Sequence, residues 1–128
     1  MGLKNEFMEE KLTLVLGASE NPTRYANIAV KRLRGHNIPV IAVGYKEGDI
    51  DGTKIQKEFP SEEAIHTVTL YLSKKNQIQY YDDILNLKPK RVIFNPGTAN
   101  REFEERLETN GIEVIDACTL VMLSTGMY

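Results

Sequence analysis

The sequence predicts an α/β fold in which one open, five-stranded parallel sheet carries helices on both faces. Short apolar segments alternate along the chain with segments whose apolar residues recur at helical spacing. The connections between these segments are short, and such alternation is typical of parallel strands joined by right-handed crossovers. A chain of 128 residues, 41% of them apolar, is long enough to bury one core of this kind. A single Rossmann-like domain is therefore expected.

The first half of the chain predicts a strand, a helix and a second strand. Residues 11–16 read Lys-Leu-Thr-Leu-Val-Leu, a short apolar run that is typical of a buried strand. Apolar residues between positions 26 and 33 recur at helical spacing, and Gly35 stands where such a helix stops. Residues 39–43 form another apolar run, and the glycines and charges of residues 44–52 predict a surface loop after it.

The alternation continues in the second half of the chain. Three further buried strands are predicted at residues 67–72, 91–94 and 112–115. Helices are predicted from residue 78 to about 88, from residue 99 to about 109, and as one or two turns within residues 118–127. The domain is expected to span residues 11–128, with residues 1–10 as a flexible N-terminal lead-in.

Composition and charge exclude several classes of function. The formal net charge of −2 argues against nucleic acid as a partner, because a phosphate backbone is bound by a clustered basic surface. No segment approaches the roughly 18 apolar residues of a membrane span, and the polar, acidic start lacks the features of a signal peptide. The lone cysteine, Cys118, rules out an intrachain disulfide and suits a reducing compartment. We expect a cytoplasmic protein with neither a membrane nor nucleic acid as its partner.

The turn after the first strand is the first candidate ligand site. Gly17 permits a tight turn, and the small residues Ala18 and Ser19 let the backbone approach a phosphate. The turn continues through Asn21 and Pro22 toward the helix, and free N–H groups and the helix dipole attract an anion. Only the first glycine of a Gly-x-Gly-x-x-Gly dinucleotide fingerprint is present, and Ser19 takes the place of the second. A turn in which Ser19 merely caps the helix is the alternative.

The end of the second strand discriminates better between ligands. An NAD-binding Rossmann domain usually has an acidic residue there, which accepts hydrogen bonds from the ribose hydroxyls. This chain instead reads Val43-Gly44-Tyr45-Lys46 and has no carboxylate before Glu47. Lys46 suits a phosphorylated ribose, with either the 3′-phosphate of coenzyme A or the 2′-phosphate of NADP. A solvated surface lysine is the alternative interpretation.

Five segments taken together resemble a known family. They are residues 17–22, residues 40–43, the loop through Lys46 and Gly52, residues 92–98 and residues 114–118. In order and spacing they resemble the small stand-alone CoA-binding-domain proteins, which are similar to the N-terminal domain of the succinyl-CoA synthetase α subunit and of ADP-forming acyl-CoA synthetases. The resemblance extends from Lys11 to Met122.

The resemblance implies a site for coenzyme A or acyl-CoA. The first glycine loop and Lys46 would hold the nucleotide phosphates, and the residues from Tyr71 to Ser73 would lie near the pantetheine. Ligands of open α/β sheets bind beyond the carboxyl ends of the strands. The candidate cofactor-binding residues at these ends are Gly17, Ala18, Ser19, Asn21, Pro22, Val43, Gly44, Tyr45, Lys46, Tyr71, Leu72, Ser73, Pro96, Gly97 and Cys118.

No complete catalytic or metal-binding constellation is recognisable. His36 lies in a helix-ending turn and His66 just before the third strand, and neither has an Asp, Ser or Cys at the spacing of a triad or metal site. Cys118 follows the fifth predicted strand. The resemblance implies that the family also has a cysteine at this position. It is either a buried inert thiol or a reactive thiol that forms a mixed disulfide with CoA. The glutamates within residues 102–108 indicate a solvated helix face.

Three functions remain open. The first is a module that binds CoA or acyl-CoA as a small-molecule ligand, without catalytic machinery of its own, alone or in a homo-oligomer or with a partner subunit. The second is an NADP-dependent enzyme or subunit, which would use the same glycine loop and Lys46. The third is an interaction protein that keeps the fold without the ligand. The third fits one departure from the family, Gly44-Tyr45 in place of Asn-Pro or Thr-Pro. A second departure is the polar run of residues 73–76 in place of a more apolar or Pro-containing stretch.

Overall fold

The computed structural model describes residues 10–61 and 63–128. The strands are β1 Thr13–Leu16, β2 Val40–Val43, β3 Gly48–Ile50, β4 Thr53–Gln56, β5 Thr67–Leu70, β6 Arg91–Phe94 and β7 Glu113–Asp116. The α-helices are α1 Tyr25–Gly35, α2 Lys74–Gln77, α3 Tyr81–Leu87, α4 Arg101–Thr109 and α5 Thr119–Ser124, with a 3₁₀ turn at Ile78–Tyr80. None of these helices is long and apolar enough to span a bilayer. Apart from Glu10, the lead-in predicted at residues 1–10 lies outside the described residues.

The sheet has seven strands in the order β3-β4-β2-β1-β5-β6-β7, so the prediction of a five-stranded sheet is wrong in number. The predicted strands are all present and run parallel to one another. The two additional strands, β3 and β4, form an antiparallel hairpin in and just after the segment predicted as a surface loop, and β4 pairs in parallel with β2.

The turn of this hairpin is Asp51-Gly52. Both residues have positive φ, 47° and 95°, as a two-residue type I′ turn requires. The register pairs Ile50 with Thr53 across the turn. An Asp-Gly pair flanked by alternating residues is therefore the sequence signal that marks the two additional strands.

Helices cover both faces of the sheet, as predicted. Successive side chains of β1 point to opposite faces, so that Leu14 and Val15 belong to different cores. The Leu14 core includes Phe103 of α4 and the apolar residues of α3. The Val15 core includes Val30 of α1 and Leu123 of α5. Fully burying an apolar side chain of this size contributes about 1.5–3 kcal/mol, so both layers stabilise the sheet.

The order of the strands determines the edge of the sheet at which a crevice opens. Strand β1 lies between β2 and β5, so the chain moves to one side of β1 in its first crossover and to the other side afterwards. Such a reversal opens a crevice beyond the carboxyl ends of the two strands that flank it. The loops that follow β1, β2, β5, β6 and β7 all lie at this edge of the sheet.

Candidate functional site

A groove runs along the carboxyl ends of the parallel strands. It consists of adjoining cavities of about 290, 360 and 210 Å³. Arg24 lines both the first and the second cavity. Tyr25, Tyr71 and Pro96 line both the second and the third. The shared residues place the three cavities side by side along this edge, and together they form the groove.

The cavity of about 290 Å³ is called the polar section, that of about 360 Å³ the middle section and that of about 210 Å³ the apolar section. The polar section is lined by Ala18, Ser19, Glu20, Asn21, Arg24, Tyr45, Lys46 and Glu47. The middle section is lined by Gly17, Thr23, Arg24, Tyr25, Ala26, Tyr71, Leu72, Ser73, Pro96, Gly97 and Thr98. The apolar section is lined by Tyr25, Tyr71, Asn95, Pro96, Cys118 and Leu120. Charged groups therefore lie at one end of the groove, and aromatic and aliphatic groups at the other.

All the candidate residues except Pro22, Val43 and Gly44 line the groove. Pro22 is exposed in the first loop. Val43 and Gly44 are buried behind the polar section. The loops after the strands thus meet at the groove, and Val43 and Gly44 contact the backbone of the first loop.

The first loop is held to β2 through one carbonyl group. The Val43 carbonyl accepts hydrogen bonds from the Gly17 N–H (2.9 Å) and the Ala18 N–H (3.0 Å). These two N–H groups are therefore not free for a ligand, contrary to the expectation from sequence, and the donors of the loop begin at Ser19. The Ser19 Oγ accepts the Asn21 N–H (3.1 Å), which leaves the hydroxyl hydrogen of Ser19 able to donate outward.

Two glycines permit the loops to approach one another. Gly17 has a φ of +103°, and a Cβ there would lie 2.9 Å from the Tyr71 carbonyl oxygen. A Cβ on Gly44 would lie 2.4 Å from the Ala18 carbonyl oxygen. Both distances are shorter than real Cβ contacts, so packing within the protein already requires glycine at these positions.

Arg24 is a groove residue that the sequence reasoning missed. It is the N-cap of α1, so Ser19 does not cap this helix. The helix dipole disfavours a cation at this end of a helix, so the charge of Arg24 does not stabilise α1. The signal in the sequence is a basic residue directly before the predicted helix and after the glycine loop. Tyr25 was missed as well. It is the first residue of α1 and is 69% exposed, so it does not belong to the apolar pattern that predicts the helix.

Charges of both signs face the polar section. Arg24 and Lys46 are the cations, and Glu20 and Glu47 are the carboxylates. The Glu20 Oε2 accepts the Asp49 N–H (2.8 Å), so this carboxylate anchors the first loop to the β3–β4 hairpin. The arginine and the lysine are exposed and supply charged donors of the kind that bind phosphate.

Asn95 fixes the floor of the groove. Its Nδ2 donates to the Thr69 Oγ1 (2.7 Å) and the Leu70 carbonyl (2.8 Å), and its Oδ1 accepts the Thr119 N–H (2.8 Å). One buried amide thus joins the end of β5, the end of β6 and the start of α5. Buried polar groups that are paired in this way hold their loops in one arrangement.

Gln77 holds the loops after β5 and β6 beside the middle section in a similar way. Its side chain is fully buried, and its Nε2 donates to the Leu72 carbonyl (2.9 Å) and the Thr98 carbonyl (2.7 Å). Its Oε1 accepts the Asn100 Nδ2 (2.9 Å), while the Asn100 Oδ1 accepts the Phe103 N–H (3.2 Å) and caps α4. The loops after β5 and β6 are therefore tied together before any ligand binds.

The Tyr71 hydroxyl is buried under the apolar section. Burial raises the pKa of Tyr71 from 10.0 to about 12. The Thr69 and Thr119 hydroxyls lie close enough to offset this rise in part, yet among the described residues the Tyr71 hydroxyl has no partner at good hydrogen-bond geometry. Cys118 beside it is a half-buried free thiol.

The histidines and the glutamates of α4 lie away from the groove. The His36 Nδ1 is 2.9 Å from the Arg32 carbonyl oxygen, and the His66 Nδ1 is 2.7 Å from the Thr67 Oγ1. His36 follows α1 and His66 precedes β5, which places both at the opposite edge of the sheet. Two of the four glutamates of α4 form exposed pairs with arginines of the same helix, Glu102 with Arg106 at 3.7 Å and Glu105 with Arg101 at 3.9 Å.

Several solved structures share this fold. One is the crystal structure of an uncharacterized protein whose sequence is 52% identical to this one. Its TM-score is 0.90, and the match covers 92% of this chain and 98% of that one. A hypothetical protein from Pyrococcus horikoshii OT3 is 26% identical, with a TM-score of 0.83 over 97% of this chain and 92% of that one. A dinucleotide-forming acetyl-coenzyme A synthetase from Ca. Korarchaeum cryptofilum, in complex with phosphate and ADP, is 16% identical, with a TM-score of 0.70 over 88% of this chain and 26% of that one. At this identity the last similarity concerns the fold alone.

The family is established from the sequence. No curated protein matches the chain. The family described as CoA binding domain matches residues 11–124, which are nearly all of the predicted domain. The match includes the glycine loop at Gly17, the loop at Lys46 and the segment that ends at Cys118, and it confirms the resemblance drawn from these segments. The chain belongs to the CoA binding domain family.

Proposed function

We propose that the chain is a module that binds coenzyme A or an acyl thioester of coenzyme A in the groove. The observation that carries the proposal is the change of character along the groove, from the cations Arg24 and Lys46 at one end to the apolar section at the other. Coenzyme A changes in the same way along its length, with its charged phosphates at one end and its thiol at the other. Membership of the CoA binding domain family supports this assignment.

In this proposal the polar section holds the phosphorylated nucleotide. Arg24 faces both the polar and the middle section, which suits the diphosphate between the nucleoside and the pantetheine. Lys46 faces the polar section and suits the 3′-phosphate. Charge-assisted hydrogen bonds from such donors are roughly twice as strong as neutral ones. The Ser19 hydroxyl adds a neutral donor at the same end.

The pantetheine would follow the middle section, between the turn at Gly17 and the turn at Pro96 and Gly97. Its end would reach the apolar section beside Tyr71 and Cys118. When bound, coenzyme A supplies a thiol or thioester there. The residues of the chain bind and orient the ligand, and the proposal assigns no reaction to them.

The alternatives make different demands on the groove. NADP would use the same Lys46, but it would bring the polar nicotinamide toward the apolar section, where burial of unpaired polar groups is costly. An interaction protein without a ligand has no need of a row of adjoining cavities whose loops are held by buried amides. A cytoplasmic location, which suits the lone Cys118, is part of the proposal.

A ligand panel tests the proposal. Thermal unfolding would be followed with coenzyme A, NAD, NADP, ATP and AMP, and the affinities of the stabilising ligands measured by calorimetric titration. A ligand at about 100 times its Kd adds roughly 2.7 kcal/mol to stability, so we expect coenzyme A to raise the Tm most. A larger rise with NADP or NAD would overturn the ligand assignment. No rise with any of these ligands would favour the interaction protein.

A further inference from the structure

We propose that the apolar section is a pocket for a short, uncharged acyl group, so that the preferred ligand is a short-chain acyl thioester of coenzyme A. The inference rests on the proposed function and names the chemical class of the ligand in that groove. Three properties of the apolar section support it, namely its position next to the middle section, its lining and its size.

The apolar section continues the path of the pantetheine. The rings of Tyr25 and Tyr71 and the ring of Pro96 line both the middle and the apolar section. The end of a pantetheine that lies in the middle section would therefore be next to the apolar one. A group attached to the sulfur of the pantetheine would be the part of the ligand that fills this cavity.

The lining of the apolar section suits an apolar group and not a charged one. Among the described residues that line it there is no lysine, arginine or histidine. The amide of Asn95 already uses both of its hydrogens and its oxygen within the protein. A carboxylate in this cavity would therefore lose its hydration without gaining a counter-charge, which is strongly unfavourable. A succinyl or malonyl group therefore gains nothing from entering this cavity, since the Tyr71 hydroxyl offers it a neutral donor but no counter-charge, whereas a butyryl group gains from burial.

The size of the cavity limits the length of the acyl chain. Its volume is about 210 Å³. Since a water molecule takes about 30 Å³ in the liquid and a methylene group takes a similar volume, the cavity has room for roughly seven such groups. The sulfur and the last atoms of the pantetheine occupy part of this space. An acyl group of about two to four carbons fills the remainder, and a longer chain would have to extend out of the groove.

The decisive experiment is calorimetric titration of the full chain with coenzyme A, butyryl-CoA, succinyl-CoA and decanoyl-CoA. We expect butyryl-CoA to bind about tenfold more tightly than coenzyme A, because its methylene and methyl groups leave water for the cavity. Succinyl-CoA should bind no more tightly than coenzyme A, and decanoyl-CoA no more tightly than butyryl-CoA. If coenzyme A itself did not bind, the proposed function would fall. If it bound but butyryl-CoA gained nothing over it, or succinyl-CoA gained equally, the inference alone would fall.

A charge placed in the cavity provides a second test. Leu120, the half-buried second residue of α5, lines the apolar section, and Leu120→Arg adds the missing cation. This variant should lose the preference for butyryl-CoA and bind succinyl-CoA several times more tightly than the parent does. Val121→Arg is the matched control, because Val121 is the next residue of the same helix and is 56% exposed. An unchanged order of ligands in folded Leu120→Arg, checked by circular dichroism, would overturn the inference.

Discussion

A Cβ on Gly44 would lie 2.4 Å from the carbonyl oxygen of Ala18, so the loop after β2 packs directly on the loop after β1. Neither backbone has room to accept a methyl group at this point. We expect Gly44→Ala to lower the free energy of unfolding by about 1–3 kcal/mol, because one of the two loops must move. Urea denaturation followed by circular dichroism measures this loss.

Gly35→Ala is the control for that substitution. Gly35 is the last residue of α1, and a Cβ there meets no heavy atom of the described residues within 4 Å. Alanine is the better helix former, so the variant should be as stable as the parent or more stable by up to about 1 kcal/mol. Equal stabilities of the two alanine variants would show that the contact between Gly44 and Ala18 is not a constraint.

Asn95→Ala tests whether the buried amide holds the groove floor. The substitution leaves the Thr119 N–H and the Leu70 carbonyl without their partner at a position that is 2% exposed. Each buried group left unpaired costs about 1–3 kcal/mol, so we expect a loss of about 3 kcal/mol in the free energy of unfolding. Asn110→Ala, which removes an exposed bond to the Arg106 carbonyl (2.8 Å), should change it by less than about 0.5 kcal/mol. Comparable losses in the two variants would contradict the special role of Asn95.

Tyr71 gives the stability of the protein a specific dependence on alkaline pH. Burial raises the pKa of Tyr71 to about 12, above its ordinary value of 10.0. Between these two values the folded state binds the phenolic proton more tightly than the unfolded state does. Stability contributed by this group is therefore present below pH 10 and is lost as the pH rises toward 12, by up to about 1.4 kcal/mol per pH unit.

The measurement is the free energy of unfolding between pH 9 and 12 for the parent, Tyr71→Phe and Tyr45→Phe. Tyr71→Phe should show a shallower decline than the parent, because the raised group is absent. Tyr45 is 85% exposed, and Tyr45→Phe should follow the parent curve. Parallel curves for all three proteins would mean that the Tyr71 hydroxyl is not buried in solution.

The fold could be predicted because burial leaves a plain pattern in the sequence. The strand around Val15 is apolar on both faces, since helices cover both, and a short unbroken apolar run is what such a strand requires. The hairpin of β3 and β4 lacks this pattern because it lies at the edge of the sheet and carries Asp49 and Lys54 on exposed positions. Only the Asp51-Gly52 turn signals it, and that signal is local.

The candidate site could be predicted in part for a similar reason. The rule that ligands bind beyond the carboxyl ends of parallel strands pointed to the loops that line the groove. It could not tell which atoms of those loops face the groove. Val43 and Gly44 stand at a strand end, yet the Val43 carbonyl is taken by Gly17 and Ala18. Arg24 lies seven positions after Gly17 in the chain, and only the path of the loop brings it to the groove.

Arg24→Ala should weaken the binding of coenzyme A and of dephospho-CoA to the same degree, by roughly tenfold or more. Arg24 faces both the polar and the middle section, where the diphosphate that both ligands share would lie. Arg32→Ala is the matched control, since Arg32 is an exposed cation in the last turn of the same helix. It should leave both affinities unchanged. An effect of Arg32→Ala as large as that of Arg24→Ala would indicate a nonspecific loss of positive charge.

Lys46→Ala should instead weaken the binding of coenzyme A more than that of dephospho-CoA, because the 3′-phosphate is the only group in which the two ligands differ. Lys46 lines the polar section and not the middle one, so it suits that phosphate and not the diphosphate. A charge-assisted contact of this kind should make the loss for coenzyme A roughly tenfold greater than the loss for dephospho-CoA. Because Lys46 is exposed, salt screens the interaction, and the difference should shrink as the ionic strength is raised. Calorimetric titration of parent and variant with both ligands at two salt concentrations measures both effects. Equal losses for the two ligands would place Lys46 away from the 3′-phosphate and leave Arg24 as the principal cation of the site.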